Sequence, residues 1–190
     1  MRWKLRTHEP PGRFEELWAQ RALWVERDLR WTRRLHQAAN IRAVLMLLAL
    51  VSRVGDGLLW YATIAVLPLI GGGRGWACSL RMMGVGVLNL LLYLALKRWA
   101  CRPRPYMTCE DIRACTRALD QFSFPSGHTL HAVAFSVVLV EYYPALAYVL
   151  VPFTLLVALS RIVLGLHYPS DVLAGGAIGA LTACGVLALF

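Results

Sequence analysis

The sequence predicts an all-α fold: an integral-membrane helical bundle of five to six transmembrane helices, with an interfacial amphipathic helix at its N-terminus. Hydrophobic residues make up 58% of the 190 residues and charged residues only 16%, which is too apolar for a soluble protein of this size. Apolar segments recur along the chain, and glycine, proline or clustered charge separates them. The chain therefore belongs in a bilayer, and its length fits one transmembrane domain.

The N-terminal region combines tryptophan with arginine but contains no long apolar run. Its tryptophans within residues 14–37 are Trp18, Trp24 and Trp31. A helix of this composition is typical of the membrane surface. We therefore divide the chain into a basic amphipathic segment, residues 1–40, and a transmembrane domain, residues 41–190. The alternative is a helix that packs against the protein's own loops.

Five apolar segments have the character of membrane crossings. They are residues 58–70, 77–96, 127–142, 145–164 and 172–190. A sixth, residues 43–51, is shorter than the roughly 20 residues that a crossing needs, so it either completes a tilted crossing from about Ala38 or stays at the interface. The other segments end or begin at residues 97, 128, 161 and 171, and these four ends are predicted on one side of the membrane. If the sixth segment crosses, the N-terminus lies on the opposite side; if it does not cross, the N-terminus lies on the same side.

Positive charge is concentrated in two regions of the chain. The net charge is +9, and of the twenty lysines and arginines ten lie in residues 1–42 and six in residues 97–117. Clustered positive charge beside apolar segments favours contact with anionic lipid headgroups. Nucleic acid is not predicted as a partner, because the intervening chain has the composition of a membrane protein. A solvated tail that only sets orientation is the alternative for the N-terminal charges.

Glycine and cysteine give weaker signals. Gly175 and Gly179 lie four residues apart, a spacing that lets helix backbones approach closely. It predicts close packing inside the bundle; a homodimer is compatible with the sequence but not implied.

The cysteines follow no metal-ligand spacing. Cys101, Cys109 and Cys115 share a loop, where reduced thiols are the default expectation and a disulfide is the alternative.

Three short clusters of polar residues stand at the ends of the apolar segments. In one-letter patterns they are K-x6-R-P, P-S-G-H and S-R-x5-H-x3-D. Their chemistry-bearing members are Lys97, Arg104, Ser126, Gly127, His128, Arg161, His167 and Asp171. A helix that starts near Gly127 presents free backbone N–H groups, which favour an anion. Since all three clusters are predicted on one side of the membrane, antiparallel packing can bring them together.

These clusters, in this order, resemble the three-part signature of the type 2 phosphatidic acid phosphatase family, with no substitution at a signature position. The resemblance covers residues 97–171, about two fifths of the chain. It implies an integral-membrane phosphatase acting on lipid phosphates, with His167 as nucleophile, His128 as proton donor and Asp171 as the partner of His167. It also implies the bacterial inner membrane, with the side that the site faces left open.

The residue types themselves suit phosphoryl transfer. Lys97, Arg104 and Arg161 supply the fixed positive charge that a transferring phosphoryl group needs, and the amides of Ser126 and Gly127 with the Ser126 hydroxyl are expected to complete the phosphate-binding site. Asp171 follows His167 by four residues, so it can accept from one ring nitrogen and leave the other as a lone pair. No metal and no other cofactor is predicted. Arg98 and Arg102 are interpreted as interfacial anchors.

Several functions remain in competition. The first is hydrolysis of a phosphate or diphosphate monoester of a membrane-embedded lipid, such as a polyprenyl diphosphate, phosphatidic acid or phosphatidylglycerophosphate, through a phosphohistidine. The second passes the phosphoryl group to another lipid. A vanadate-dependent haloperoxidase uses a similar pocket but is soluble and longer. A membrane scaffold or transporter predicts gaps in the constellation, and there are none.

Overall fold

The computed structural model describes residues 13–118 and 120–189, with side chains described from residue 25 onward. Every regular element in these residues is a helix, apart from an isolated β-bridge between Pro103 and Phe122. The α-helices are α1 Arg13–His36, α2 Arg42–Val54, α3 Gly57–Ala100, α4 Pro105–Thr108, α5 Gly127–Tyr142, α6 Ala147–Val163 and α7 Pro169–Leu189. The predicted all-α class is confirmed.

Helix α3 is a hairpin of two arms, residues 57–71 and 73–100, that turn back on each other at Gly72. This glycine has φ 54° and ψ −137°, a conformation that side chains with a Cβ rarely adopt. Beyond the turn, the Ser79 hydroxyl donates to the Ile64 carbonyl at 2.7 Å, across fifteen residues of sequence. The arms touch closely, since a Cβ on Gly75 would lie 2.0 Å from the Leu67 carbonyl oxygen. The predicted break at residues 71–73 is confirmed.

Helix α5 lies at the centre of the bundle and packs against α3, α6 and α7. Leu130, Ala132 and Val138 on α5 are fully buried. On α7, a Cβ at Gly175 would lie 2.6 Å from the Ser126 carbonyl oxygen, and one at Gly179 would lie 2.3 Å from that of Leu130. The two glycines therefore let α7 lie directly on the backbone of α5, as their spacing predicts.

Several helices have the length and composition of membrane spans. Gly57–Ala100, Pro144–Val163 and Pro169–Leu189 are each long and apolar enough to cross a bilayer. A fourth candidate among the described residues is the pair Val25–Asn40 and Arg42–Val54, which is bent by 109°. The protein is therefore an integral-membrane helical protein with three to four candidate spans by length and composition.

The N-terminal helix exists, and one of its faces packs on the rest of the protein. Asp28, Thr32 and His36 follow one another at helical spacing, and all three are buried. His36 Nδ1 lies 2.8 Å from the carbonyl oxygen of Val163 at the end of α6. Trp31 on another face remains exposed. The contacts fit the alternative of packing against the protein's own loops, and the location of the exposed face at the membrane surface stays a prediction.

Candidate active site

The three polar clusters meet at one end of the bundle, where α3 and α6 end and α5 and α7 begin. The backbone N–H of Ser126 donates to the carbonyl of Asp171 at 3.0 Å, which ties the start of α5 to the start of α7. Arg104 contacts His167, with Nη1 and Nε2 3.3 Å apart. Residues more than 60 positions apart in sequence thus share one small volume.

Lys97 and Arg104 are buried and share one counter-charge, Asp120. The Asp120 Oδ1 atom accepts from Lys97 Nζ at 2.6 Å and from Arg104 Nη2 at 3.0 Å. Arg104 Nε also donates to the Asp120 backbone carbonyl at 3.0 Å. Burial alone would raise the pKa of Asp120, but the hydrogen bonds from Lys97 and Tyr93 outweigh it and lower that pKa to about 2. Asp120 is therefore ionised and holds the two cations in place.

His167 is held as a neutral imidazole with a defined tautomer. Its Nδ1 lies 2.7 Å from the Ser123 carbonyl oxygen, which can only accept, so Nδ1 carries the proton. Nε2 then carries no proton and has a free lone pair, and Arg104 Nη1 lies 3.3 Å from it. Complete burial lowers the pKa of His167 well below its ordinary value, and the charges of Arg161, Arg104 and Lys97 lower it further. The arrangement leaves an unprotonated Nε2 next to a guanidinium.

Asp171 lies beside His167 but does not accept its proton. Its Oδ2 atom is 3.7 Å from His167 Nδ1, beyond hydrogen-bond distance. That oxygen accepts from the Tyr168 backbone N–H at 2.8 Å, and Oδ1 accepts from Arg102 at 2.7 Å. The expected direct hydrogen bond is thus replaced by the one from His167 Nδ1 to the Ser123 carbonyl, and Asp171 accepts from Arg102 and from the Tyr168 amide instead.

The start of α5 agrees with the sequence, with one correction. The helix begins at Gly127, where a Cβ would lie 2.6 Å from the Tyr93 ring and would displace that ring. The Ser126 hydroxyl is paired with Thr129 Oγ1 at 3.0 Å, and the Ser126 amide is occupied by Asp171. The Ser126 amide therefore is not free for a phosphate, contrary to expectation. The Gly127 amide has no hydrogen-bond partner among the described residues.

Arg161 is a buried guanidinium with spare donor capacity. Its side chain is 3% exposed, and Nη1 donates to the Ser52 hydroxyl on α2. Its Nε is buried and has no hydrogen-bond partner within the described part of the chain. A buried donor without a partner is costly, so this position favours an anion that completes it.

His128 is paired with a carboxylate that the sequence did not single out as functional. Its Nε2 contacts Asp56 Oδ1, in the turn between α2 and α3. The hydrogen bond from His128 is the main cause that lowers the pKa of Asp56, and it outweighs the opposing effect of partial burial. Asp56 is therefore an anion at the edge of the site.

Arg102 is not the interfacial anchor that the sequence suggested. Its guanidinium donates at 2.7 Å to Asp171 and at 2.7 Å to Asp28 of α1, and it stacks on the Tyr168 ring with its Cζ 3.9 Å from the centroid. The two carboxylates raise its pKa against the lowering effect of burial. No periodicity or spacing links Asp28, Asp56 or Asp120 to the signature clusters, which is why the sequence assigned them no role in the site.

Neither a metal site nor a disulfide is built around these residues. No group of three or more His, Cys, Asp or Glu side chains in the described residues is arranged to hold a metal ion. All five cysteines are free thiols in this structure, and whether Cys101, Cys109 and Cys115 stay reduced in the cell remains a prediction. Metal independence of any activity stays a prediction.

Buried cations, a neutral histidine and a helix N-terminus lie together at one end of the apolar helical bundle of a membrane protein, and these groups are chemically suited to an oxyanion. The sequence profile of the PAP2 superfamily matches residues 76–190. The chain belongs to this superfamily, which confirms the resemblance of the signature clusters.

Three known proteins are similar to the chain in sequence. Phosphatidylglycerophosphatase B of Bacillus subtilis is 30% identical over 160 residues, which cover 75% of this chain and 66% of that protein. Undecaprenyl-diphosphatase BcrC of Bacillus subtilis is 35% identical over 88 residues, covering 46% and 45% of the two chains. Decaprenylphosphoryl-5-phosphoribose phosphatase of Mycolicibacterium smegmatis is 38% identical over 98 residues, covering 49% and 51%. The chain thus spans just under two thirds of the first relative and about half of the others.

Solved structures show the same fold. The transmembrane PAP2-type phosphatidylglycerolphosphate phosphatase from Bacillus subtilis superposes with a TM-score of 0.69 at 25% identity, covering 84% of each chain. LpxE of Aquifex aeolicus superposes with a TM-score of 0.72 at 25% identity, covering 84% of this chain and 94% of the other. Both matches extend well beyond the signature clusters.

Proposed function

We propose that this protein is a membrane lipid phosphatase that hydrolyses a phosphate or diphosphate monoester of a membrane-embedded lipid through a phosphohistidine at His167. The observation that carries the proposal is the unprotonated Nε2 of His167, fixed by the Ser123 carbonyl and faced by Arg104 at 3.3 Å. A buried neutral imidazole is a nucleophile, and the adjacent guanidinium is suited to the oxygens of the phosphoryl group under attack.

The proposed reaction has two steps. His167 Nε2 attacks phosphorus while the bond to the leaving oxygen breaks, and His128 gives that oxygen a proton. Water then attacks the phosphorus, the N–P bond breaks, and inorganic phosphate leaves. Lys97, Arg104 and Arg161 stabilise the charge on the phosphoryl oxygens in both steps, with the unpaired Nε of Arg161 as one donor. No metal ion or other cofactor is included in this scheme.

We further propose five crossings, formed by the two arms of α3 and by α5, α6 and α7. The position of α1 and α2 supports this count. Helices α1 and α2 together form the N-terminal unit. Asp28 on α1 accepts from the Ser170 amide at 3.0 Å, and Asp56, which follows α2, contacts His128, so α1 and the residue after α2 both contact the site end of the bundle. A bilayer crossing by α2 would separate them. The basic N-terminus then shares a side with the site, which favours the cytoplasmic face of a bacterial inner membrane and contact with anionic lipids.

The substrate that we propose is a polyprenyl diphosphate or a glycerophospholipid phosphate. The names of the relatives refer to phosphatidylglycerophosphate, undecaprenyl diphosphate and a decaprenyl-linked phosphoribose. The longest segment between consecutive helices from residue 13 onward is residues 109–126, 18 residues, which is too short for a separate domain that recognises a large soluble substrate. A lipid that presents its phosphate at the membrane surface therefore suits the site better.

A phosphate-release panel over purified lipid phosphates in detergent or proteoliposomes tests the function. We expect at least one lipid of these two classes to release inorganic phosphate, and His167→Ala to abolish the release. His131→Ala is the matched control, since it removes the same side chain from α5, where His131 Nδ1 lies 2.9 Å from the Gly127 carbonyl. Phosphate release that survives in His167→Ala would refute the phosphohistidine.

The same panel separates hydrolysis from transfer. A transferase needs a second lipid, whereas a hydrolase releases phosphate from one purified substrate in water. Rapid acid-labile, base-stable labelling of the protein from radioactive lipid phosphate, lost in His167→Ala, would identify the intermediate.

A further inference from the structure

Asp56 occupies a helix-start position but does not serve its own helix. It precedes Gly57, the first residue of α3, with φ −68° and ψ 167°. An aspartate there usually accepts a hydrogen bond from the N–H groups of the first turn. Asp56 makes no such bond; its Oδ1 contacts His128 Nε2 on α5 instead. The carboxylate is directed at the site rather than at the helix that follows it.

The charges around His128 give this contact a consequence. Burial of the ring disfavours a positive imidazolium at His128, and so do the charges of Arg161 from α6 and Arg104 from the loop before α4. Asp56, from the turn between α2 and α3, is the anion among the described residues whose charge favours a protonated His128. The charge of Arg53 in turn favours the ionised form of Asp56. A proton donor surrounded by cations loses its proton easily unless an anion holds it.

The remaining ring nitrogen is free for chemistry. The contact with Asp56 engages Nε2, and His128 Nδ1 has no hydrogen-bond partner among the described residues. An aspartate that fixes one nitrogen of a histidine while the other transfers a proton is a recurring catalytic arrangement.

We infer that Asp56 is a positioning residue for His128: it accepts the Nε2–H and stabilises the imidazolium, so that the Nδ1 proton goes to the leaving oxygen. The inference rests on the proposed function and deepens it. In the first step His128 gives the Nδ1 proton to the oxygen whose bond to phosphorus breaks. In the second step Nδ1 takes a proton from the attacking water, so the proton count is restored.

This assignment lies outside the part of the chain that matches the superfamily profile, which begins at residue 76. Two contacts from the same N-terminal unit point in the same direction. Ser52, one helical turn before Asp56, accepts from Arg161, and Asp28 on α1 accepts from Arg102. The segment that precedes the matched region therefore completes the site.

The test is the steady-state kinetics of Asp56→Asn across pH, on the lipid that the parent protein hydrolyses. We expect kcat to fall roughly 10- to 100-fold, less than the loss of the general acid itself, with KM changed by less than about threefold. We also expect the alkaline limb of the kcat profile to move to lower pH, because the anion that retains the proton on His128 has been removed. Asp56→Glu should restore part of kcat and should return the alkaline limb part of the way to its pH in the parent protein.

Glu110→Gln is the matched control. It removes one carboxylate charge from the same end of the bundle at an exposed position, and Glu110 makes no hydrogen bond or ion pair among the described residues. Its kinetics and pH profile should equal those of the parent. A purely electrostatic effect of net charge would change both variants alike and would contradict the inference.

A double-mutant cycle guards against an effect on folding. In a His128→Ala background, Asp56→Asn should cost no further rate, because Asp56 acts through His128. An additional loss in that background, or a rise of kcat/KM in Asp56→Asn alone, overturns the inference; the rise would mean that the carboxylate blocks the site. If the parent releases no phosphate from any lipid, the proposed function fails instead, and the two failures are distinguishable.

Discussion

Arg102 Nη2 lies 2.7 Å from Asp28 Oδ2, so the loop after α3 holds the N-terminal helix against the site. The same guanidinium contacts Asp171 at 2.7 Å through Nη1. Arg102 thus joins α1 to the residue beside the proposed nucleophile. The N-terminal segment is an integral part of the site end of the bundle.

Breaking this contact should release α1. Asp28→Ala removes the acceptor of the Ser170 amide and leaves the half-buried Arg102 with one carboxylate, at a cost of about 1–3 kcal/mol of stability. We expect a lower Tm in detergent and faster tryptic cleavage between residues 30 and 42. Glu26→Ala, an exposed neighbour paired with Arg30 at 3.9 Å, should behave as the parent does. Equal cleavage of the two variants would contradict the role of Asp28.

Arg161 should not tolerate lysine. Arg161→Lys keeps the charge but loses the planar fork, including the unpaired Nε, so we expect kcat/KM to fall by roughly 100-fold. The control is Arg98→Lys, a substitution at an exposed residue near the end of α3. Kinetics on one lipid phosphate check both. Full activity of Arg161→Lys would show that charge alone is needed.

The acid limb of the pH profile of kcat/KM should have its midpoint below pH 6.5, the ordinary pKa of histidine. His167 is required neutral, and burial together with the charges of Arg161, Arg104 and Lys97 lowers its pKa, so it stays unprotonated into mildly acidic solution. Removing one of these cations should raise that pKa. Arg104→Gln is therefore expected to move the acid limb to higher pH, on a lower overall rate. An unmoved limb would mean that another group limits activity in acid.

Close packing of α7 on α5 should depend on Gly179. A Cβ there would lie 2.3 Å from the Leu130 carbonyl oxygen, so Gly179→Ala forces the two backbones apart and should cost about 1–3 kcal/mol of stability. Gly185→Ala on the same helix is the control, because its Cβ would meet no atom within 4 Å. The Tm of the two variants in detergent compares them, and equal values would count against direct backbone contact.

The five-crossing arrangement predicts that α1 and the loop after α3 are labelled from the same side. Cys101 is exposed in that loop, and Val25 is exposed on α1, whereas Cys109 is buried beside Arg33 and unsuited to labelling. In a chain whose other cysteines are serine, Cys101 alone and Val25→Cys alone should react with an impermeant maleimide under the same conditions. Labelling from opposite sides would establish a sixth crossing.

The sequence by itself determined the helical class, the turn at residues 71–73, the start of α5 at Gly127 and the signature residues. These features are local, because the length of an apolar segment, the conformation of a glycine and a short motif each depend on residues that are close together in the sequence. It did not determine the N-terminal topology, since a 13-residue apolar helix is compatible with crossing or with lying at the interface.

Only the tertiary structure decided which carboxylates serve the site. Asp28, Asp56 and Asp120 stand at spacings that resemble no motif, and each becomes significant through a partner more than 20 residues away: Arg102, His128 and Lys97 respectively. It likewise assigned the Nδ1 proton of His167 to the Ser123 carbonyl instead of Asp171. The physical reason is that ion pairs and hydrogen bonds depend on distances of about 3 Å, which the packing of separate helices sets and sequence spacing does not.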